Sequence, residues 1–206
     1  MINKFKIYIL ILFSFLYSDI EIPDSNLDGW FVLNDDKIWV GHKEYKGFPW
    51  CRSITTLPYS IERIISVVDN FENYKNVFFR INDSKYLAED IVYLKIDMPY
   101  FYSDRDYIVQ YNSFQKNDTI IYQWQSIDMI AKYSDIVRLE NAAGEWKLIP
   151  ISNNSTMVSY SWNGELLGDF PSFYLPRAWS SQGVEILSWL KEELERQDAT
   201  GNFGTE

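Results

Sequence analysis

Two hydrophobic periods alternate along this chain, and the switch between them sets out most of its elements. Ile61, Ile64, Ile65 and Val68 recur at helical spacing behind Pro58, which predicts a helix over 60–68, and 71–79 reads as a second short one. The period then falls to two. Val92, Leu94, Ile96 and Met98 share one face of a strand over 91–98, with Tyr93, Lys95 and Asp97 on the other. Ile120, Tyr122 and Trp124 are in step over 119–127, as are Val158, Tyr160 and Trp162 over 156–162. Val137 and Leu139 take the odd phase but Trp146 and Leu148 the even one, so a β-bulge is expected near Ala143-Gly144. Asn153-Asn154 reads as a hairpin turn.

Upstream, 38–45 and 51–57 read as two strands joined across Gly47-Phe48-Pro49, and 24–34 as a short segment with a helical turn folding Trp30 and Phe31 inward. Downstream, Pro171 precedes a helical pattern reaching Arg196. It places Gly183, Ile186, Leu187, Leu190 and Leu194 on one face and Glu192, Glu193, Glu195 and Arg196 toward solvent. Two strands, short helices, about six antiparallel strands and one long last helix make an α+β domain, a strongly curved sheet around a helix. The space left between them is a usual place for a ligand.

One charged residue breaks the alternation. In Ser103-Asp104-Arg105-Asp106-Tyr107-Ile108-Val109, strand phase puts Arg105 on the side of Tyr107, Val109 and Tyr111. A guanidinium stays charged, so burial would oblige it to find a carboxylate, a carbonyl, water or a polar ligand head. The other reading is an Arg at the strand edge, wet and paired with Asp104 or Asp106.

Composition narrows the function. The 206 residues are 47% hydrophobic and 17% aromatic (15 Tyr, 13 Phe, 8 Trp), which suits one domain with a full core or a hollow one. With 19 Lys and Arg against 29 Asp and Glu the net charge is −10, which argues against nucleic acid and against simple adhesion to anionic lipid. Residues 1–18 differ: Lys4 and Lys6 precede an apolar run from Ile7 to Tyr17, too short to span a bilayer comfortably. A secretory signal ending near Ser18 is expected, with an uncleaved anchor as the other reading. Either one exports the domain, to the periplasm or beyond the cell. Cys51 is the only cysteine, so no internal disulfide can form, and it reads as a small hydrophobe in a strand.

Several strings resemble one family in number, order and spacing. They are Trp39-Val40 with Glu44-Tyr45, Lys46-Gly47-Phe48-Pro49-Trp50, Phe71-Glu72-Asn73-Tyr74, and Ile96-Asp97-Met98-Pro99 leading to Ser103-Asp104-Arg105-Asp106-Tyr107. Gly144-Glu145-Trp146, Trp162-Asn163-Gly164-Glu165-Leu166, Gly168-Asp169-Phe170-Pro171 and Arg177-Ala178-Trp179 continue the series. Together they resemble the START domains, the steroidogenic acute regulatory protein-related lipid transfer modules of the Bet v 1-like superfamily, in the bacterial style. The resemblance runs over 36–197, a START domain, which leaves the expected signal (1–18), an N-terminal segment (19–35) and a flexible tail (198–206) outside it.

What the resemblance implies is a helix-grip fold with an internal tunnel for the binding or transfer of one lipid or sterol-like molecule without catalysis. Arg105 matches the family's inward Arg, whose acidic partner would come from Glu89 or Asp90, with the register open. Tyr100, Phe101 and Tyr102 fall in the loop that covers the tunnel mouth, either touching a membrane or ligand or folded down as a lid. Tyr107, Trp124, Trp146, Trp162, Trp179, Gly183 and Ile186 complete the expected lining. The protein would act as a monomer.

The alternative is a cavity enzyme of the cyclase or aromatase kind acting on a hydrophobic substrate through an acid such as Glu89 or Asp90. His42 is the only histidine and reads as a wall or edge residue, and one His with one Cys cannot make a typical zinc site. Glu145 and Glu165, the latter near Asp169, read as structural acids. No Gly-rich phosphate loop is present, so no cofactor is expected.

Overall fold

The computed structural model describes residues 20–99, 101–128 and 136–201. The chain opens with a three-stranded meander, β1 (Phe31–Asp35), β2 (Trp39–Tyr45) and β3 (Phe48–Leu57), followed by α1 (Ile61–Val68). A 3-10 turn at Phe71–Asn73 leads into α2 (Tyr74–Val77). Then come β4 (Ile81–Ala88), β5 (Ile91–Ile96), β6 (Arg105–Lys116), β7 (Thr119–Ser126), the two-residue β8 (Val137–Arg138), β9 (Ala143–Ser152) and β10 (Ser155–Asn163). The 26-residue α3 (Leu175–Thr200) closes the fold.

One antiparallel sheet runs β1-β2-β3-β10-β9-β7-β6-β5-β4, and its two end strands do not meet. The short β8 pairs with the start of β6 and is the parallel exception. The first hairpin turns on Lys46-Gly47, both at positive φ (53° and 85°), the backbone of a two-residue turn that matches strand twist. Phe48 and Pro49 therefore already belong to β3.

The α3 helix packs over β1, β2 and β3 and against α1 and α2. Leu187, Leu190 and Leu194 are fully buried there, each contributing on the order of 1.5–3 kcal/mol of apolar burial. Gly183 lets the helix come this close: a Cβ on it would lie 2.7 Å from Val40 Cγ1 and 3.2 Å from the Trp162 ring. Because α3 leans on the β1–β3 half, the β5–β7 half faces it across a gap.

A second apolar cluster covers the other face. Ile20 and Ile22 pack with Trp30, Trp50, Ala143 and Trp39. Arg52, 1% exposed, donates to the carbonyls of Pro23 and Asp24 and to Ser161 Oγ (2.8 Å), with its guanidinium 4.7 Å from the Trp30 ring. A buried cation thus straps residues 20–30 onto the sheet.

Several expectations are corrected. The segment 24–34 holds no helical turn: Trp30 is buried, but Phe31 starts β1 and is 69% exposed. The phase change around residue 143 is not a bulge, because Val137 and Leu139 precede β9 altogether. The register of β9 slips at its far end instead, opposite Ser155/Thr156. Strand β4 was not expected, since Asn82-Asp83-Ser84-Lys85 carries no apolar alternation. Its buried member is Ser84, which donates to the Phe71 carbonyl. Glu193 does not face solvent but is 6% exposed, bound by Arg196 and Gln197. The sheet takes in 31–35, and α3 continues past 197 to Thr200.

Candidate functional site

Between α3 and the far half of the sheet lies a cavity of about 460 Å³. Strand alternation supplies one wall: Tyr107 from β6, Trp124 from β7, Tyr160 and Trp162 from β10, with Ile96 at the end of β5 and Met98 just beyond it. The helix supplies the opposite wall through Ala178, Ser181, Gln182, Ile186 and Trp189. Leu166, Phe170 and Tyr174, from the loop between β10 and α3, close one side. Phe78, Ile81 and Arg80 close another, and Arg80 is tied to α3 by paired hydrogen bonds to Glu185 (2.9 Å for Nη2).

The aromatic wall is continuous. Tyr160 lies 4.3 Å from Trp146, 5.1 Å from Trp162 and 5.6 Å from Trp124, centroid to centroid, and Trp124 stacks on Tyr111 at 5.6 Å. Such ladders fill space with rigid aromatic surface.

Arg105 is fully buried and lines this cavity, on the side of Tyr107 as strand phase requires. Its guanidinium is largely spent on backbone. Nε donates to the Leu166 carbonyl (2.8 Å), Nη2 to the Leu167 carbonyl (2.8 Å) and Nη1 to the Ser103 carbonyl. The nearest acid is Asp169, 3.7 Å away and mostly exposed. Burial draws the Arg105 pKa down, opposed by Asp169 and Asp104. The side chain therefore staples the start of β6 to the loop that closes the cavity.

The rest of the string is also occupied. Asp106 points to the opposite face and takes both Nε (2.6 Å) and Nη2 (2.9 Å) of Arg138, which secures β8. Asp104 binds Lys95 at 2.8 Å. Glu89 and Asp90 do not supply a partner for Arg105: they form the β4–β5 turn, and Asp90 is bonded to Gln110 and Tyr111. Arg105 stands opposite Ile96, five residues along β5 from Ile91, or roughly 17 Å away at strand rise.

Of the other expected residues, Tyr102, Tyr107, Trp124, Trp162 and Ile186 line the cavity. Trp146 sits behind the wall, against Phe78 and Tyr160. Trp179 donates its indole N–H to the Gly164 carbonyl (2.8 Å) and lies on His42, and Gly183 is the contact point on β2, so neither lines the cavity. The mouth loop divides: Phe101 is 91% exposed, Tyr102 turns in against Phe170 at 5.0 Å, and Tyr100 lies outside the described residues. Phe173 and Tyr174 add exposed aromatic surface nearby. Tyr160, Phe78 and Phe170 are cavity residues that sequence reasoning did not single out as site residues, although the phase shared with Trp162 marks Tyr160.

Cys51 and His42 stand apart from this space. Cys51 is buried and its thiol pKa is pushed well up by burial. His42, its cross-strand neighbour, lies between Phe31 and Trp179, and burial lowers its pKa. Glu165 is the carboxylate among the described lining residues, and it accepts from Asn141 Nδ2 at 2.9 Å. Among the described residues no three His, Cys, Asp or Glu side chains gather as metal ligands, and no helix is long and apolar enough to cross a membrane.

No family model matches the chain, and no curated protein matches it. Solved structures do. A STAR-related lipid transfer protein from Xanthomonas axonopodis aligns at TM-score 0.73 and 21% identity, covering 82% of this chain and 99% of that one. Human StAR-related lipid transfer protein 5 aligns at 0.71 and 11% identity, covering 84% and 89%. The Zhui aromatase/cyclase from a Streptomyces species aligns at 0.54 and 14% identity, covering 74% and 97%. With a curved, unclosed antiparallel sheet gripping a long last helix, this chain has the START-type helix-grip fold.

Proposed function

We propose that the protein binds one hydrophobic small molecule between α3 and the β5–β10 wall and carries it unchanged. The observation that carries this reading is the cavity of about 460 Å³ whose walls are mostly aromatic and aliphatic side chains, within the usual size range of small-molecule sites. Burial of a hydrocarbon chain there contributes about 0.8 kcal/mol per CH₂. The lipid-transfer proteins of the same fold support the reading. Exposed Phe101 and Phe173 suit brief contact with a membrane while cargo passes. The pattern of residues 1–18 supports export to the periplasm or outside the cell, where the domain works as a monomer.

Titration with the neutral dye N-phenylnaphthylamine tests this. Saturable one-site enhancement is expected, weakened at least about tenfold in Ile186→Trp, which fills the cavity from the helix side. Absence of saturable binding to the wild-type protein contradicts it.

A second reading, a cavity enzyme, has one observation in its favour: Glu165 is a carboxylate in the wall of a fold shared with an aromatase/cyclase. Turnover of a ring-forming substrate that vanishes in Glu165→Gln, with dye binding kept, would establish it.

A further inference from the structure

The sheet wall of the cavity carries hydroxyls with nothing to bond. Tyr107 on β6 and Tyr160 on β10 both line the cavity, and Tyr160 is 8% exposed. Neither hydroxyl has a hydrogen-bond partner among the described residues. Tyr74, in the same cluster, differs: its hydroxyl donates to the Val68 carbonyl. The indole Nε1 of Trp162, on the same wall and 5% exposed, is also without a partner. The Trp162 indole N–H is enclosed where polar groups are nearly always paired, and the Tyr107 and Tyr160 hydroxyls open onto the cavity, so all three donors stand ready for a partner that enters it.

The charges around the cavity do not fill that role. Arg105 is held by three carbonyls, Arg80 by Glu185, and Arg177 is exposed at the rim. Burial pushes the Tyr107 and Tyr160 phenols up, and Tyr107 further disfavours ionisation of Tyr160, so both remain neutral donors. At roughly 30 Å³ per water the space equals about fifteen waters. That suits a single-chain or fused-ring molecule better than a two-chain phospholipid.

We propose that Tyr107 and Tyr160 form a neutral hydrogen-bonding subsite for an uncharged oxygen, hydroxyl or carbonyl, on an otherwise apolar ligand. The cavity then prefers an alcohol or ketone to a carboxylate of the same chain length. This rests on the cavity being the ligand site.

The test is displacement of bound N-phenylnaphthylamine, which has no oxygen, by dodecanol and by dodecanoate at neutral pH. Dodecanol displaces the dye from the wild-type protein at lower concentration than dodecanoate. In the double variant Tyr107→Phe/Tyr160→Phe the dodecanol affinity, corrected for that variant's own dye affinity, falls about tenfold, as expected for two lost hydrogen bonds, and the dodecanoate affinity falls less. The variant removes only oxygens without partners, so its melting temperature holds or rises. Equal displacement by dodecanol from both proteins overturns the subsite. So does tighter binding of dodecanoate than dodecanol, which would place the polar end at Arg177. Failure of the dye to bind at all overturns the cavity reading itself, and the subsite with it.

Discussion

Arg105 Nη2 donates to the carbonyl of Leu167, 2.8 Å away, and Leu167 sits at φ 48°, in the left-handed region that side chains avoid. Gly168 follows at φ 62°, where a Cβ would come within 3.3 Å of the same nitrogen. The buried guanidinium and the strained loop hold each other in place, so the wall of the cavity nearest the mouth depends on one cation.

Arg105→Leu accordingly strips three carbonyls of their donor and is expected to destabilise the fold by about 3 kcal/mol, roughly a 6–12 °C fall in melting temperature. Any loss of ligand binding follows from loop disorder. Thermal melts with and without bound dye separate the two: a variant that melts like the wild type but binds poorly would instead give Arg105 a direct role toward the ligand.

Leu167→Gly should act in the opposite sense. Glycine takes positive φ without strain, and the Leu167 side chain is exposed, so about 0.5–1 kcal/mol of added stability is expected. Gly168→Val should cost more than that gain, because it adds both strain and a clash with Val137 (3.1 Å) and Arg105. Comparing the two melting temperatures checks the relationship.

Gly183→Val inserts atoms where a Cβ already lies 2.7 Å from Val40, and overpacking of this kind costs about 1–3 kcal/mol. Chemical denaturation should show the loss. An unchanged midpoint would mean that α3 can slide off β2.

Alkaline pH should unfold the protein. Burial raises the Tyr122 pKa from 10.0 to about 12, and pushes Tyr74, Tyr107, Tyr111 and Tyr160 up as well. A pKa raised in the folded state means that the unfolded chain loses its protons first. The stabilisation is complete below pH 10 and is lost as pH climbs from 10 toward 12. Tyrosinate absorbance should rise in two phases, exposed tyrosines first and the buried set only with loss of near-ultraviolet dichroism.

Much of the fold is legible where burial is one-sided. Val92, Leu94, Tyr122, Trp124, Val158, Tyr160 and Trp162 alternate, and all prove to be core. The inward phase of Arg105 is legible for the same reason. Its partners are not, because backbone carbonyls of Leu166, Leu167 and Ser103 leave no side-chain signature, and attention goes to acids such as Glu89 and Asp90. Strand β4 escapes since its burial rests on Ser84 rather than on an apolar stripe. Gly183 shows as part of a helix face, but its meaning, a close approach to Val40, appears only once β2 is placed beneath it.

Native mass spectrometry of the protein purified from its natural source tests the central claim most directly. The account predicts one non-covalent adduct per chain, apolar and carrying an uncharged oxygen, that dodecanol competes away. The bare protein mass alone, both as isolated and after incubation with a total lipid extract, would contradict it.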